Sequence, residues 1–213
     1  MKYLQSLSAL LLAGVTAQAS LTTSVVNTVI PDGNPNGVTS TLTVGGLAPV
    51  ISEVVVYLNV SGGFDGDLYA TLNLGGSSGT TVVLLNRIGS SPENPFGSSA
   101  AGFGDSTGTT YEFSLSDAAA TSIHNYDGTG SSYQPDGGTL SSFNGLDPDG
   151  DWILFIADMA SGGGDSPSTL VSWGLDITAV PEPVNAALGV FAGIGLVVVA
   201  RQTLWRKRRQ PAV

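Results

Sequence analysis

Between Ser20 and Thr178, apolar residues recur at every second position in short runs, and the runs are separated by turns rich in glycine, serine and aspartate. A side-chain period of two belongs to a strand, and a strand with one apolar face must bury that face against another layer. In "DLYATLNL", Leu68, Ala70, Leu72 and Leu74 fall on one side, with Tyr69, Thr71 and Asn73 on the other. In "ISEVVVYLNV", Val54, Val56, Leu58 and Val60 share a side opposite Glu53 and Asn59. Trp152, Leu154 and Ile156 form a further stripe, as do Trp173, Leu175 and Ile177. Eight such runs are read, at 23–30, 38–44, 51–60, 67–74, 80–85, 110–115, 152–158 and 170–178. No amphipathic helix separates them, and only "SDAAATSIH" (116–124) has helical character, with Ser116 as its N-cap. The expectation is an all-β fold, a sandwich or jelly roll of about eight strands with the tryptophans in its core.

Nothing covalent reinforces such a sandwich. The chain has no cysteine, so disulfides, thiolate metal sites and thiol nucleophiles are all excluded. Charge is divided by region: residues 20–180 carry sixteen of the seventeen Asp and Glu, with Arg87 as their single Arg or Lys, a net of −15. Nucleic acid is excluded as a partner, because neutralising phosphates takes clustered Lys and Arg. An acidic surface of this kind attracts divalent cations, and it also keeps an exported protein soluble.

Both ends of the chain read as signals. The opening "MKYLQSLSALLLAGVTAQAS" has a basic start at Lys2, an apolar stretch, and the small-x-small step Ala17-Gln18-Ala19 before Ser20. This is the pattern of a secretory signal peptide, residues 1–19, cut after Ala19. It leaves a domain at 20–179 and a C-terminal region at 180–213. There, residues 184–200 are apolar apart from Asn185, and as a helix they would extend about 26 Å, the short limit for crossing a hydrocarbon core of about 30 Å. Arg201 follows, then Trp205 and the cluster Arg206, Lys207, Arg208 and Arg209, which suits a cytoplasmic flank with the domain outside.

Pro181-Glu182-Pro183, the apolar segment and the basic cluster, in that order, resemble the PEP-CTERM sorting signal of bacterial exported proteins. The resemblance implies an exosortase as processing partner and transient anchoring in the inner membrane. Removal of the helix and tail would then leave the product at the cell surface or in an extracellular, exopolysaccharide-rich biofilm matrix. An ordinary tail anchor is the alternative. Two prolines before a helix keep the backbone extended and accessible to a processing enzyme.

The middle of the chain carries a second resemblance. "IPDGNPNGVTSTLTV", "ISEVVVYLNVSGGFDGDLYATLNL" with its Gly66-Asp67-Leu68, "GTTVVLLNR", "LSSFNGLDPDGDWILFIAD" and "STLVSWGLDIT" follow one another as in the P domain (P/Homo B domain) of subtilisin-like proprotein convertases. The resemblance covers residues 25–178 and implies a jelly-roll sandwich that stabilises or regulates a catalytic domain. Here no protease domain precedes it within the sequence given.

Catalytic patterns are missing. The one histidine, His124, lies outside any nucleophile motif and reads as a loop residue, and no G-x-S-x-G, P-loop or H-E-x-x-H sequence occurs. The acidic turns are more suggestive. Asp147, Asp149 and Asp151 alternate, with Asp158 eleven residues after Asp147, and Asp65 and Asp67 alternate in "GGFDGDLY". Alternating carboxylates suit calcium, but the position of a calcium loop that needs glycine is here Trp152. Asp67 and Asp158 match motif positions of a family in which some P domains carry calcium, so a structural Ca²⁺ is the one cofactor the resemblance allows, against plain acidic turns. The reading is a non-enzymatic exported surface or matrix module that binds exopolysaccharide or a surface protein. The alternative is an accessory or regulatory partner of a subtilisin-like protease acting in trans. Mass spectrometry of the mature C-terminus from native cells is expected to find Arg206–Arg209 removed; their retention would overturn the sorting assignment.

Overall fold

The computed structural model describes residues 16–100, 102–103, 113–127, 130–162, 167–182, 191, 194–202 and 205. The chain divides into a sandwich, Gln18–Val180, and the terminal segments outside it. Among the described residues, ten strands build the sandwich: β1 (Gln18–Val29), β2 (Asn34–Val44), β3 (Val50–Ser61), β4 (Leu68–Leu74), β5 (Thr80–Asn86), β6 (Gly102–Phe103), β7 (Ser114–Leu115), β8 (Ser132–Tyr133), β9 (Gly150–Asp158) and β10 (Thr169–Val180). One sheet runs β1-β10-β3-β7-β8 with β6 also on β3, and the other runs β2-β9-β4-β5. The long strands pair antiparallel, so one face of each sheet can be apolar and the other wet.

The stripes read from the sequence meet between the two sheets. Val54, Val56, Leu58 and Val60 of β3 face Leu68, Ala70, Leu72 and Leu74 of β4 across the core, each buried. Trp152, Leu154 and Ile156 of β9 and Trp173, Leu175 and Ile177 of β10 complete the layer. Each indole N–H finds an acceptor there. Trp152 donates to the Pro148 carbonyl at 3.0 Å, and Trp173 of one sheet donates to the Ser40 hydroxyl of the other at 2.9 Å. A buried N–H left unmet would cost about 1–3 kcal/mol, so these bonds also fix the orientation of both rings. Phe143, from the 3-10 turn Leu140–Phe143, packs on Trp152 with ring centroids 4.9 Å apart.

Bulges adjust the alternation where period two would point a residue the wrong way. In β3 the register skips Ser52, and Ile51 turns inward with Val54 instead of outward with Glu53. In β1 it shifts between Val25 and Thr28, where Asn27 has φ 50°, a conformation that asparagine tolerates better than most residues. Asn59 and Ser172, paired in register on the outer face, are buried nonetheless.

Three expectations change. The helical reading of 116–124 gives way to a turn: Ser116 Oγ accepts from Ala118 N at 3.2 Å and its carbonyl from Ala119 N, and the only regular piece is the 3-10 turn Ile123–Asn125. Serine offers the backbone this local alternative to a helix, and three alanines without an apolar face to bury cannot override it. The run at 110–115 keeps only Ser114–Leu115 as strand, with 110–112 outside the described residues. Against the eight expected, the described residues form seven long strands and three of two residues. That short-strand region is held by aromatic rings: Phe103, Phe113, Tyr126 and Tyr133 meet at centroid distances of 5.0–5.5 Å.

At the C-terminus, residues 194–202 are helical, and Ile194 and Leu196–Val199 are exposed. Among the described residues no helix is long and apolar enough to cross a membrane. Phe191 is also described and exposed; the other residues of 184–193, Pro183 and Arg206–Arg209 lie outside the described residues, as does the stretch 1–15 of the expected signal peptide.

Leu154→Ala, at the centre of β9, should lower unfolding stability by about 2–5 kcal/mol. Ser40→Ala should lower it by about 1–3 kcal/mol by stranding the Trp173 N–H. Urea denaturation followed by tryptophan fluorescence reads both, and an unchanged midpoint for Ser40→Ala would mean the inter-sheet bond contributes nothing.

Candidate functional site

The carboxylates singled out in the sequence separate into two groups. Asp158 closes β9 and Asp151 is near its start, so the seven residue steps from one to the other put roughly 23 Å of strand between the groups. The Asp147–Asp151 group builds a latch between turns. Asp149 accepts from Gly46 N and Leu47 N at 2.9 and 3.2 Å, Asp147 accepts from Asp149 N at 3.0 Å, and Asp151 accepts from the Thr43 hydroxyl at 2.7 Å. These oxygens are occupied in holding the 44–50 connection against the start of β9.

The other group forms the more unusual environment. Asp65 and Asp67 lie in the 3-10 turn Asp65–Asp67 that leads from β3 into β4, and both are buried. Register pairs Leu68 with Asp158, and Met159 N donates to the Asp67 carbonyl at 2.7 Å, which brings the end of β9 onto this turn. Asp65 accepts from Gly102 N at 2.8 Å. Asp158 accepts from Ala160 N and from the Ser168 hydroxyl, both at 3.3 Å. Asp32, from the "IPDG" turn, accepts from Gly162 N through both oxygens at 3.1 Å.

One cation answers these acids. Arg87, at the exit of β5 with φ 55°, donates from Nε to the Gly66 carbonyl at 3.3 Å and brings a terminal nitrogen to 3.9 Å from Asp67. Burial pushes the Asp67 carboxyl above the ordinary range, Asp158 and Asp32 push it further, and Arg87 pulls it back. Burial likewise raises Asp158, against the bonds from Ala160, Gly33 and Ser168 that favour its ionised form.

The turn admits no side chain at its centre. A Cβ on Gly66 would fall 2.4 Å from the Phe96 carbonyl oxygen and 2.4 Å from Ser98 N. The backbone of 96–98 therefore lies directly on the turn, with Gly66 N donating to the Ser98 carbonyl and Asp65 N to that of Ala100, each at 2.9 Å. Glycine in Gly66-Asp67-Leu68 is thus a close-approach requirement.

As to metals, no group of three or more His, Asp or Glu among the described residues is arranged to hold an ion. The residues present fit calcium poorly, because Asp32, Asp67 and Asp158 are each engaged with backbone, hydroxyl or guanidinium donors. His124 is not the free loop residue expected. It is half-buried, with Nδ1 2.9 Å from Asp136 and Nε2 3.0 Å from the Ser90 carbonyl, so both ring nitrogens are committed. A shallow cleft of about 370 Å³ lies between β3 and the turn Leu140–Phe143, bordered by Glu53 and Asp117. Asp117 caps that turn by accepting from Leu140 N and Ser141 N at 2.8 and 2.7 Å.

Of the signal residues, Ala19 and Ser20 belong to β1, paired with Thr178 and Ile177. A cut after Ala19 removes two rungs of the β1–β10 ladder and keeps the rest. Pro181 and Glu182 directly follow β10 outside any strand or helix, and Arg201 is an exposed residue in the last turn of the helical stretch 194–202. The sequence did not single out Asp32, Arg87 as partner of Asp67, or the His124–Asp136 pair; the first stood only inside the quoted "IPDGNPNGVTSTLTV", and the others join residues from separate segments of the chain.

No protein-family model matches the chain, and no curated protein matches it. Among solved structures, the serine protease of Aeromonas sobria matches 77% of this chain and 27% of its own, at 15% identity and a TM-score of 0.48. A chain in the complex of that protease with its chaperone matches 78% of this chain and 28% of its own, at 17% identity and a TM-score of 0.47. This chain thus spans less than a third of the length of the solved proteins it matches.

Asp158→Asn removes the charge, keeps a carbonyl oxygen for Ala160 N, and puts an NH2 in place of the second oxygen, which the Ser168 hydroxyl can meet by accepting instead of donating. A raised carboxyl pKa means the folded state binds the proton more readily, so wild-type stability from this group falls as pH rises from the unfolded value of 3.8 through the folded one. The melting temperature of Asp158→Asn relative to wild type should therefore be highest near pH 7 and decline towards pH 4. A difference independent of pH would show that the charge has no energetic consequence.

Proposed function

We propose that the sandwich is a non-enzymatic, exported binding module of P/Homo B type, with jelly-roll topology, that packs against a subtilisin-like protease supplied by another chain. The observation that carries this reading is the edge strand β1. It has no charged residue over twelve positions, pairs with β10 on one side, and exposes Leu21, Val25 and Val29, at 61, 66 and 53%. Edge strands are ordinarily protected by charge or proline, and a long uncharged one presents free backbone groups and apolar side chains to a partner's strand or apolar surface. A hydrated polysaccharide makes poor use of such a surface. The lack of a catalytic function is supported by His124, whose second nitrogen is held by a carbonyl where a base would need a nucleophile's hydroxyl.

The C-terminal sequence favours a second reading, a surface or matrix module sorted by an exosortase and holding exopolysaccharide. Export and membrane anchoring before processing belong to the same proposal.

Affinity purification of the native chain from the exporting cell should recover a subtilisin-like protease. Val25→Lys should abolish that recovery while changing unfolding stability by no more than about 0.5 kcal/mol, as for an isolated surface substitution. Recovery of polysaccharide instead, unaffected by Val25→Lys, would favour the matrix reading. Hydrolysis of a peptide or glycan panel by the purified chain would overturn the non-enzymatic assignment.

A further inference from the structure

His124 is fixed before its ring makes any contact. It is the middle residue of the turn Ile123–Asn125, whose first residue, Ile123, is fully buried and whose N-cap, Ser122, accepts from His124 N at 3.2 Å. The ring bridges two further segments, the Asp136 carboxylate through Nδ1 and the Ser90 carbonyl through Nε2. Both partners can only accept. A neutral imidazole has one N–H and satisfies one of them; only the imidazolium satisfies both.

The joined segments are otherwise distant. Asp136 also accepts from Asn86 N at the end of β5, at 3.2 Å, and its own N–H donates to the Leu84 carbonyl. The His124 carbonyl accepts from Gly89 N at 3.0 Å, so backbone and ring of one residue grip the loop that begins at Arg87. That loop is tied within itself by Ser98 N to the Ile88 carbonyl and by Asn94 Nδ2 to the Gly97 carbonyl, both at 2.8 Å. Its far end supplies the Ser98 and Ala100 carbonyls that hold the Asp65–Asp67 turn.

From this geometry we infer that His124 is a pH-operated latch: its imidazolium form holds the 87–100 loop closed on the Asp65–Asp67 turn, and its neutral form releases the loop at Ser90. The charged groups around it favour the cation. Asp136 bonds the ring directly; Arg87 directs its guanidinium away, to Gly66 and Asp67; Asp127, beyond the turn, accepts from the Tyr133 hydroxyl; Glu93 is exposed within the loop. Bonding to Asp136 raises the ring above its ordinary 6.5, opposed by burial and reinforced by the Asp136 charge and the Ser90 carbonyl. The sign follows: the latch contributes fully below pH 6.5 and is lost as pH rises through the folded value.

The chain has a single histidine, so its titration can be followed without assignment ambiguity. Nitrogen NMR of the full-length chain should show both ring nitrogens protonated at pH 6 and a midpoint above 6.5. Amide hydrogen exchange, corrected for its intrinsic pH dependence, should show residues 88–98 opening more as the ring deprotonates. The expected gain in opening is about tenfold for each pH unit by which the folded midpoint exceeds 6.5. In His124→Gln, whose amide donates at every pH, the corrected exchange of the loop should be flat. A midpoint at or below 6.5, or a wild-type loop whose pH dependence matches that of His124→Gln, overturns the latch.

Discussion

The two indole rings between the sheets are the constraint around which the rest is arranged. With no cysteine in the chain, no disulfide joins the sheets, and burial of Trp152 and Trp173 is tolerable because each N–H has an acceptor inside the layer. The Trp173–Ser40 bond crosses from one sheet to the other, so it fixes their relative offset as well as the ring. Apolar side chains alone, which have no direction, would leave that offset softer. The turns at both ends of β9 then fall where the acidic residues can tie them.

The pattern of period two was enough to read the layers. Leu68, Ala70, Leu72 and Leu74, and the stripes of β3, β9 and β10, lie where alternation places them, because sheet geometry translates spacing directly into facing. What alternation could not reveal was where it breaks. Ile51 is inward because of a bulge, and a bulge leaves no mark in composition. The aromatic cluster of Phe103, Phe113, Tyr126 and Tyr133 was also hidden, since its members lie on short strands and loops without a period. The first strand was read late, from Thr23, because Gln18–Thr22 holds one large apolar residue, Leu21, and so shows no alternation, and it draws its place from pairing with β10.

The acidic residues illustrate the same division. As a sequence, Asp147, Asp149, Asp151 and Asp158 look like one set; as a structure, β9 carries them to opposite ends. The first three bond to nearby backbone and hydroxyl groups, an ordinary occupation for aspartates in turns. Asp158 and Asp67 are both buried, with the exposed Asp32 as a further negative charge and Arg87 as the neighbouring cation, and there charge repulsion and desolvation act together. Sequence spacing identifies carboxylates, but their electrostatic relation depends on which strands end together.

The pairing of β1 with β10 also has a mechanical meaning. Gln18 opposes Ala179 in register, so the first residue of the sandwich and the last but one share a rung at the same end of one antiparallel ladder. A pulling force applied between those two ends loads that rung alone, then the next, as in opening a zip, whereas opposed pulling along parallel neighbours would load the whole ladder at once. Tension across the domain is therefore met by the weakest geometry a sheet can offer, and β1 is the element it would peel away.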